Sequence, residues 1–282
     1  MHHPLHAARL WTAAALATLL ISQPAFTAKA PPAGSLSPQT IKKIDDAAAE
    51  VLKKTAVPST SIAVVRDGRI VYLHAYGNAR LEPTVPADPA LRYGIGSISK
   101  QFTASALLLL QQDGKLSLDD KVAKYVPELT RAGDITIRQL LSHTSGYQDY
   151  WPQDYMFPLM IQPISPEGIM DRWARQPLDY EPGAKWQYSN TGYVIAGRIV
   201  EKASGKPLFQ FLRERIFEPL NMTTAHDFDR EPLAPGNVSG YKAYALGPPR
   251  AAEASGAGWL FGAGELAMTA EDLAKWDISI IN

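Results

Sequence analysis

Apolar residues recur along this chain with two different periods, and the change between them divides the chain into parts. In residues 39–55 they fall at helical spacing, which predicts a helix. The runs at 61–65 and 70–73 are instead β-rich and flank Asp67-Gly68, a dipeptide that favours a hairpin turn between two strands. The chain is therefore predicted to open with a helix, a strand, a turn and a second strand.

A helical pattern takes over from residue 97. The first of these helices, 97–112, is strongly apolar and ends at Asp113-Gly114, where the glycine can close the helix in the left-handed conformation. Thr269 is predicted to cap the last helix, with Asp272 in the capping-box position. The other predicted helices cover 136–142, 166–175, 191–203 and 207–216.

Together these elements predict an α+β fold. An antiparallel sheet would be flanked by helices and would carry an inserted all-helical region at about 84–225. The predicted organisation is an N-terminal segment of residues 1–30, a linker of residues 31–38 rich in Pro, Gly and Ser, and one domain over residues 39–282.

The first thirty residues have the three-part order of an export signal. Arg9 precedes an apolar run at 10–21, and Ala28-Lys29-Ala30 fits the small-residue pattern of a cleavage site. A buried N-terminal helix is the alternative. The run is short for a stable bilayer anchor, and no later segment has about 18 consecutive uncharged apolar residues. We therefore predict a periplasmic or secreted protein without a stable membrane anchor.

The composition and the charge balance exclude several kinds of partner and catalytic chemistry. Of 282 residues, 46% are hydrophobic and 20% are charged, which is typical of a globular protein. Lys and Arg together number 28, as do Asp and Glu, so no basic excess favours nucleic acid as a partner. Without Cys the chain has no disulfide, thiolate zinc site or Cys nucleophile. Three of the six His lie in the predicted export signal, and no two of the other three have metal-ligand spacing. No glycine-rich phosphate loop occurs either, so we expect neither a metal nor another cofactor.

Ser97 and Lys100 form an S-x-x-K element at the start of the strong helix. Residues three apart share a helix face, so the Lys100 amine can reach the Ser97 hydroxyl. A serine hydroxyl becomes a good nucleophile when a neighbour accepts its proton, and burial can lower the pKa of a lysine enough for that role. The alternative for the tetrapeptide alone is a capping Ser followed by an exposed Lys.

Tyr188-Ser189-Asn190 lies downstream, in a predicted loop just before a helix. A phenol near an ammonium ionises more easily and can relay a proton. The Asn190 amide can orient Lys100 and can also bind a substrate carbonyl. Taken alone, a Tyr and an Asn at a helix start more often serve packing and capping.

In order and setting, the two motifs together resemble those of the serine β-lactamase-like superfamily, and within it class C β-lactamases, D-alanyl-D-alanine carboxypeptidases and related esterases. The resemblance covers roughly residues 36–282. Four stretches carry it: 93–104 around Ser97, 137–146, 181–193 around Tyr188, and 269–276.

This resemblance implies a role for each motif residue. Ser97 would be the acylated nucleophile, and Lys100 and Tyr188 would share the general-base role. Asn190 would position Lys100 and bind substrate. The backbone N–H of Ser97 would supply half of an oxyanion hole. The division of proton transfer between Lys100 and Tyr188 stays open, because the two groups are expected to titrate as a unit.

An aromatic segment at 147–157 holds further candidates. Tyr150 and Trp151 are predicted to bind substrate as part of a cleft wall, and the alternative is a loop packed against the helices. His143 lies in a stretch that the family has without a catalytic histidine, so we predict a structural role for it.

One family feature has no counterpart. The family carries a third motif, K-T-G or H-x-G, on a strand after the last helix found here, whereas this sequence stops at Asn282. We therefore expect an incomplete domain that lacks the C-terminal strands and helix, with an exposed edge on the strand at 61–65.

The functional expectation is an exported serine hydrolase. It would transfer an acyl group through Ser97 from a small-molecule or peptide substrate, namely a β-lactam, a D-Ala-D-Ala peptide or a small ester. The alternative is a catalytically impaired fragment or pseudo-enzyme that binds peptidoglycan or a partner protein. Neither the acyl substrate nor the oligomeric state can be read from the sequence.

Overall fold

A computed structural model describes residues 35–152, 156–234, 237–243 and 247–281. The predicted export signal at 1–30 and residues 31–34 of the predicted linker lie outside the described residues. The rest of that linker belongs to the folded part, since Leu36 is buried and Ser37 caps the first helix. Residue 38 is helical and not linker, because proline fits the first turn of a helix, where no N–H is needed.

The N-terminal part confirms the predicted helix and hairpin. Strand order is β1-β2-β3, and both pairs are antiparallel. Asp67 and Gly68 make the β1–β2 turn with φ of +51° and +68°, the left-handed values that such a turn requires. The elements are α1 (Pro38–Thr55), β1 (Ser59–Arg66), β2 (Arg69–Leu81) and β3 (Thr84–Pro86).

In the described residues two further antiparallel sheets accompany this one. The α+β prediction is therefore confirmed, but the strands there form three small sheets and not the single sheet that was predicted. The second sheet has the order β4-β8-β5, and the third pairs β6 with β7. Since β3 and β4 precede residue 96, the predicted helical region begins later than residue 84. Strands of two or three residues are too short to show a period of two. They are β4 (Tyr93–Gly94), β5 (His226–Asp227), β6 (Tyr241–Lys242), β7 (Arg250–Ala251) and β8 (Leu266–Met268).

Each predicted helix is present, and two of them continue in a wider π-helical turn. The π-helical segments are Met170–Ala174 and Arg213–Phe217, which directly follow α4 and α6. The α-helices are α2 (Ser99–Gln112), α3 (Ile137–Leu141), α4 (Pro166–Ile169), α5 (Asn190–Ser204), α6 (Leu208–Leu212) and α7 (Ala270–Ile281). Short 3₁₀ turns lie at Gly96–Ile98, Val122–Lys124 and Pro158–Ile161.

The hydrophobic core is centred on the packing of α2 against α5. Leu107 and Leu110 of α2 and Ile195 of α5 are wholly buried, whereas Leu108 is 48% exposed on the opposite face. This packing matters for the site because the first turns of α2 and α5 carry the two sequence motifs.

The last helix departs from its predicted cap. Thr269 caps α7, since its hydroxyl accepts from the Asp272 N–H at 3.2 Å. The Asp272 carboxylate does not complete a capping box, because it accepts instead from the backbone N–H and the hydroxyl of Thr224 at 2.7 and 2.6 Å. A tertiary donor therefore replaces the local one.

Within the described ranges, we find no helix that has both the length and the apolar character needed to cross a membrane.

Candidate active site

Ser97 lies in the 3₁₀ turn between β4 and α2, and strand β8 fixes that turn from both sides. The Ile95 N–H donates to the Leu266 carbonyl at 2.9 Å, and the Leu266 N–H donates to the Ser99 hydroxyl at 3.1 Å. Gly96 takes a φ of +50°, which turns the chain into the helix just before Ser97. Ser99 thus has a structural role, and the Ser97 side chain stays exposed.

Lys100 follows one helical turn later and points back at Ser97. Its side chain is buried, and its amine donates to Ser97 Oγ at 3.1 Å. The same Nζ contacts two further acceptors at 2.8 Å each, Asn190 Oδ1 and the Ala263 carbonyl. The amine is therefore held by three groups that come from separate parts of the chain.

The surroundings of Lys100 favour the neutral amine more than water does. Burial lowers its pKa from 10.5 to about 8, against the opposing effect of the negative charges on Asp149 and Glu265. The rings of Tyr188 and Tyr193 also approach, with centroids 4.9 and 5.5 Å from Nζ.

The three contacts also set the direction of the lone pair in the neutral amine. Asn190 Oδ1 and the Ala263 carbonyl can only accept, so they take the two N–H groups that the neutral amine keeps. The third direction points at Ser97 Oγ. Loss of one proton therefore leaves Lys100 with its lone pair aimed at the serine hydroxyl.

Tyr188 brings the second group to the same hydroxyl. Its OH donates to Ser97 Oγ at 2.7 Å. The Tyr188 ring stacks on His143 with centroids 4.6 Å apart, and His143 Nδ1 accepts from the Ser189 N–H at 3.2 Å. Burial and the charge of Lys100 lower the pKa of His143 to about 4, so it is neutral at ordinary pH. It supports the loop that carries Tyr188.

Asn190 is the first residue of α5, which Ser189 caps through a bond of 3.1 Å from the Gly192 N–H. The Asn190 backbone N–H donates to Asp149 Oδ1 at 2.9 Å, and its side-chain Nδ2 donates to Asp149 Oδ2 at 3.3 Å. The helix cap and this carboxylate together place Asn190 Oδ1 against Lys100.

A tight turn just before β8 delivers the Ala263 carbonyl. Gly262 has a φ of +68°, and a Cβ there would lie 2.5 Å from the Tyr193 carbonyl oxygen, so the position requires glycine. The turn is fixed by the Thr103 hydroxyl, which donates to the Gly262 carbonyl at 2.9 Å, and by the Glu265 carboxylate, which accepts from the Gly262 N–H.

The site residues line a cavity of about 730 Å³. Leu260 and Gly264 form one side of it, and the aromatic segment forms another. The remaining lining residues are Gly96, Ser97, Asp149, Tyr150, Trp151, Pro152, Gln187, Tyr188, Asn190 and Ala263.

The aromatic segment lines the cavity and also packs into the core. Tyr150 and Trp151 line the cavity. The Tyr150 side chain is nonetheless 1% exposed, and its hydroxyl donates to the Trp259 carbonyl, so Tyr150 offers the cavity ring surface and no free hydroxyl. Tyr147 is buried in the core, and Tyr155 lies outside the described residues.

The sequence motifs contain Ser97, Lys100, Tyr188 and Asn190, but two further groups of the site lie outside them, Asp149 and the Ala263 carbonyl. Asp149 directly precedes Tyr150, and the position of a carboxylate inside an aromatic segment is the sequence feature that could have indicated it. Ala263 acts through its backbone, so only the glycines on either side of it marked the turn. In the ranges that the structure describes, no group of three or more His, Asp or Glu side chains is placed to hold a metal ion.

Residues 44–280 match the family model described as Beta-lactamase, and the chain therefore belongs to the Beta-lactamase family. This is the family that the sequence motifs were predicted to resemble.

Individual relatives are similar in sequence and in structure. Penicillin-binding protein 4* of Bacillus subtilis strain 168 is 33% identical over 183 residues, which are 64% of this chain and 40% of that protein. The solved octameric penicillin-binding protein homologue from Pyrococcus abyssi is 30% identical with a TM-score of 0.73, covering 86% of this chain and 56% of that one. The D-amino acid amidase from Ochrobactrum anthropi SV3 is 30% identical with a TM-score of 0.72, covering 83% and 69%. The chain spans about half the length of the curated relatives it matches.

Proposed function

We propose that this protein transfers acyl groups through a covalent intermediate on Ser97. One observation carries the proposal: Ser97 Oγ is contacted at once by Lys100 Nζ at 3.1 Å and by the Tyr188 hydroxyl at 2.7 Å, at the wall of an open cavity. An alcohol placed between a weakly basic amine and a phenol is suited to nucleophilic attack on a carbonyl carbon.

The acylation step follows from these contacts. Neutral Lys100 accepts the Ser97 proton as the Oγ–carbon bond forms and the carbonyl electron pair moves onto oxygen. Collapse of this adduct breaks the bond to the leaving nitrogen or oxygen, which takes a proton through Tyr188. The proton held by Lys100 returns through the same pair, so both groups end neutral. We assign the general-base role to Lys100 and Tyr188 jointly.

Deacylation repeats the sequence with water as the nucleophile. Lys100 and Tyr188 accept a proton from water, and Ser97 Oγ leaves as the alcohol. The backbone N–H of Ser97 serves as one donor to the oxyanion in both steps.

Substrate positioning falls to the residues around this centre. Asn190 holds Lys100 through Oδ1 and lines the cavity, which supports a second role for its amide in binding a substrate carbonyl. The rings of Tyr150 and Trp151 supply apolar wall surface for the acyl group.

The substrate class we propose is a small amide or ester: a β-lactam, a D-Ala-D-Ala peptide, a D-amino acid amide or a small ester. Relatives named penicillin-binding protein and D-amino acid amidase support this range.

We further propose that residues 1–30 direct export to the periplasm or medium and that residues 39–282 fold as one unit. The order of charged, apolar and small residues at the N-terminus supports export.

A substrate panel tests the proposal. Nitrocefin, a D-Ala-D-Ala peptide, D-phenylalanine amide and a p-nitrophenyl ester are offered to the unaltered chain, to Ser97→Ala and to Ser105→Ala, a control on the same helix. We expect turnover of at least one compound, a loss of about 10⁴-fold or more in Ser97→Ala, and no comparable loss in Ser105→Ala. Turnover that survives Ser97→Ala would overturn the assignment.

A further inference from the structure

Both oxygens of the Asp149 carboxylate accept hydrogen bonds from Asn190. Oδ1 accepts from the Asn190 backbone N–H at 2.9 Å, and Oδ2 accepts from Asn190 Nδ2 at 3.3 Å. Oδ1 also accepts from the Trp151 N–H at 3.2 Å, which anchors the carboxylate to its own loop. No sequence motif points to this residue.

We propose that Asp149 is a positioning residue that fixes the orientation of the Asn190 amide and, through it, holds Lys100 against Ser97. This inference rests on the proposed function of Ser97 and Lys100. It adds Asp149 to that function, a residue that forms no hydrogen bond with Ser97 or with the Lys100 amine in the described part of the chain.

The orientation of the Asn190 amide matters because its two ends differ. They have nearly the same shape but opposite hydrogen-bonding character, since one end accepts and the other donates. A carboxylate can only accept, so Asp149 selects the orientation in which Nδ2 faces it and Oδ1 faces Lys100. The flipped amide would put two donors together at Lys100 and two acceptors together at Asp149.

Asp149 also acts on Lys100 through its charge. The negative charge of Asp149 raises the pKa of Lys100, against the larger effect of burial. The groups that face the Lys100 amine from the elements packed around it are two carboxylates, two phenol rings and one neutral imidazole: Asp149, Glu265, Tyr188, Tyr193 and His143. Loss of Asp149 would leave Glu265 as the remaining carboxylate of this set.

An exchange of residues separates the two contributions. In Asp149→Asn the charge is lost, and the new amide can turn a donor toward Asn190 Nδ2, so the Asn190 orientation is no longer fixed. In the double variant Asp149→Asn/Asn190→Asp, every hydrogen bond can form again, because the new carboxylate accepts both from the side chain at 149 and from Lys100. Its charge then lies in direct contact with the amine.

The experiment is an NMR titration of the Lys100 side chain in the full chain labelled with ¹³C-lysine, with the Lys100 signal assigned by its loss in Lys100→Arg. The matched control is Asp229→Asn, because Asp229 is a buried carboxylate that, like Asp149, accepts two backbone N–H bonds, here from Gly258 at 3.0 Å and Leu260 at 3.2 Å. A general loss of packing would affect both variants alike.

We expect Asp149→Asn to lower the Lys100 pKa by about one unit and the double variant to raise it above the wild-type value, while Asp229→Asn leaves it unchanged. The same shifts should appear in the pH dependence of kcat/KM. The inference is overturned if Asp149→Asn leaves the Lys100 pKa unchanged, as Asp229→Asn should, or if the Lys100 pKa of the double variant lies below the wild-type value. The double variant decides the question alone if Asp149→Asn fails to fold. Because the titration needs no turnover, an active Ser97→Ala would refute the proposed function and leave this result standing.

Discussion

The pH dependence of Ser97 acylation follows from the environment of Lys100. The amine must be neutral to accept the Ser97 proton, and burial lowers its pKa from 10.5 to about 8. At pH 7 about one chain in ten then carries the neutral amine, compared with about one in 3,000 for an ordinary lysine, a gain of roughly 300-fold. Between pH 6 and pH 9 the neutral fraction rises by roughly 90-fold.

The rate to measure is that of acylation alone. A fluorescent penicillin is mixed with the chain at each pH, the reaction is quenched in acid, and the labelled fraction is followed over time. The rate should rise about tenfold per pH unit below pH 8 and level off above it. Lys100→Arg is the control, because a guanidinium keeps its proton throughout this range and should give a low, flat profile. A wild-type rate that is flat from pH 6 to pH 9, or that rises only above pH 10, would refute the reasoning.

Three further predictions concern the phenol, the core and a buried acid. Tyr188→Phe removes the hydroxyl that donates to Ser97 at 2.7 Å and should slow acylation by about 10²- to 10⁴-fold. Tyr180→Phe is the control and should not slow it, because the Tyr180 hydroxyl donates to a backbone carbonyl. Equal losses in the two variants would count against the role of Tyr188. In urea denaturation, Leu107→Ala should lower the free energy of unfolding by about 2–5 kcal/mol and Leu108→Ala by far less, because only Leu107 is buried, and equal values would contradict the described core. Burial raises the pKa of Asp229 from 3.8 to about 6, so the folded state keeps that proton longer than the unfolded state and loses stability as pH rises from about 4 to 6. Asp229→Asn should therefore gain on wild type by up to about 3 kcal/mol between pH 4 and pH 7, and a difference independent of pH would show that the carboxyl is not perturbed.

Local spacing accounts for what the sequence could predict of the site. Ser97 and Lys100 are one helical turn apart, so their contact follows from the helix itself. Tyr188 and Asn190 could be joined to them only by resemblance, because sequence separations of 91 and 90 between the partners carry no distance information.

The parts that sequence reasoning missed act through long-range or backbone contacts. Asp149 meets Asn190 across 41 residues, and Ala263 meets Lys100 through a carbonyl that every residue type possesses. In the fold, the two-residue strands β4 and β5 exist because β8 lies between them, and no local pattern announces such pairing. Hydrophobic periodicity likewise cannot distinguish an α turn from the π turn at Met170–Ala174.

The central claim is that Ser97 becomes covalently acylated. Peptide mapping by mass spectrometry after exposure to a penicillin tests it directly. The account predicts a mass increase equal to one penicillin on the peptide that contains Ser97, and no such adduct in Ser97→Ala. An adduct on another residue, or one that persists unchanged in Ser97→Ala, would contradict the account.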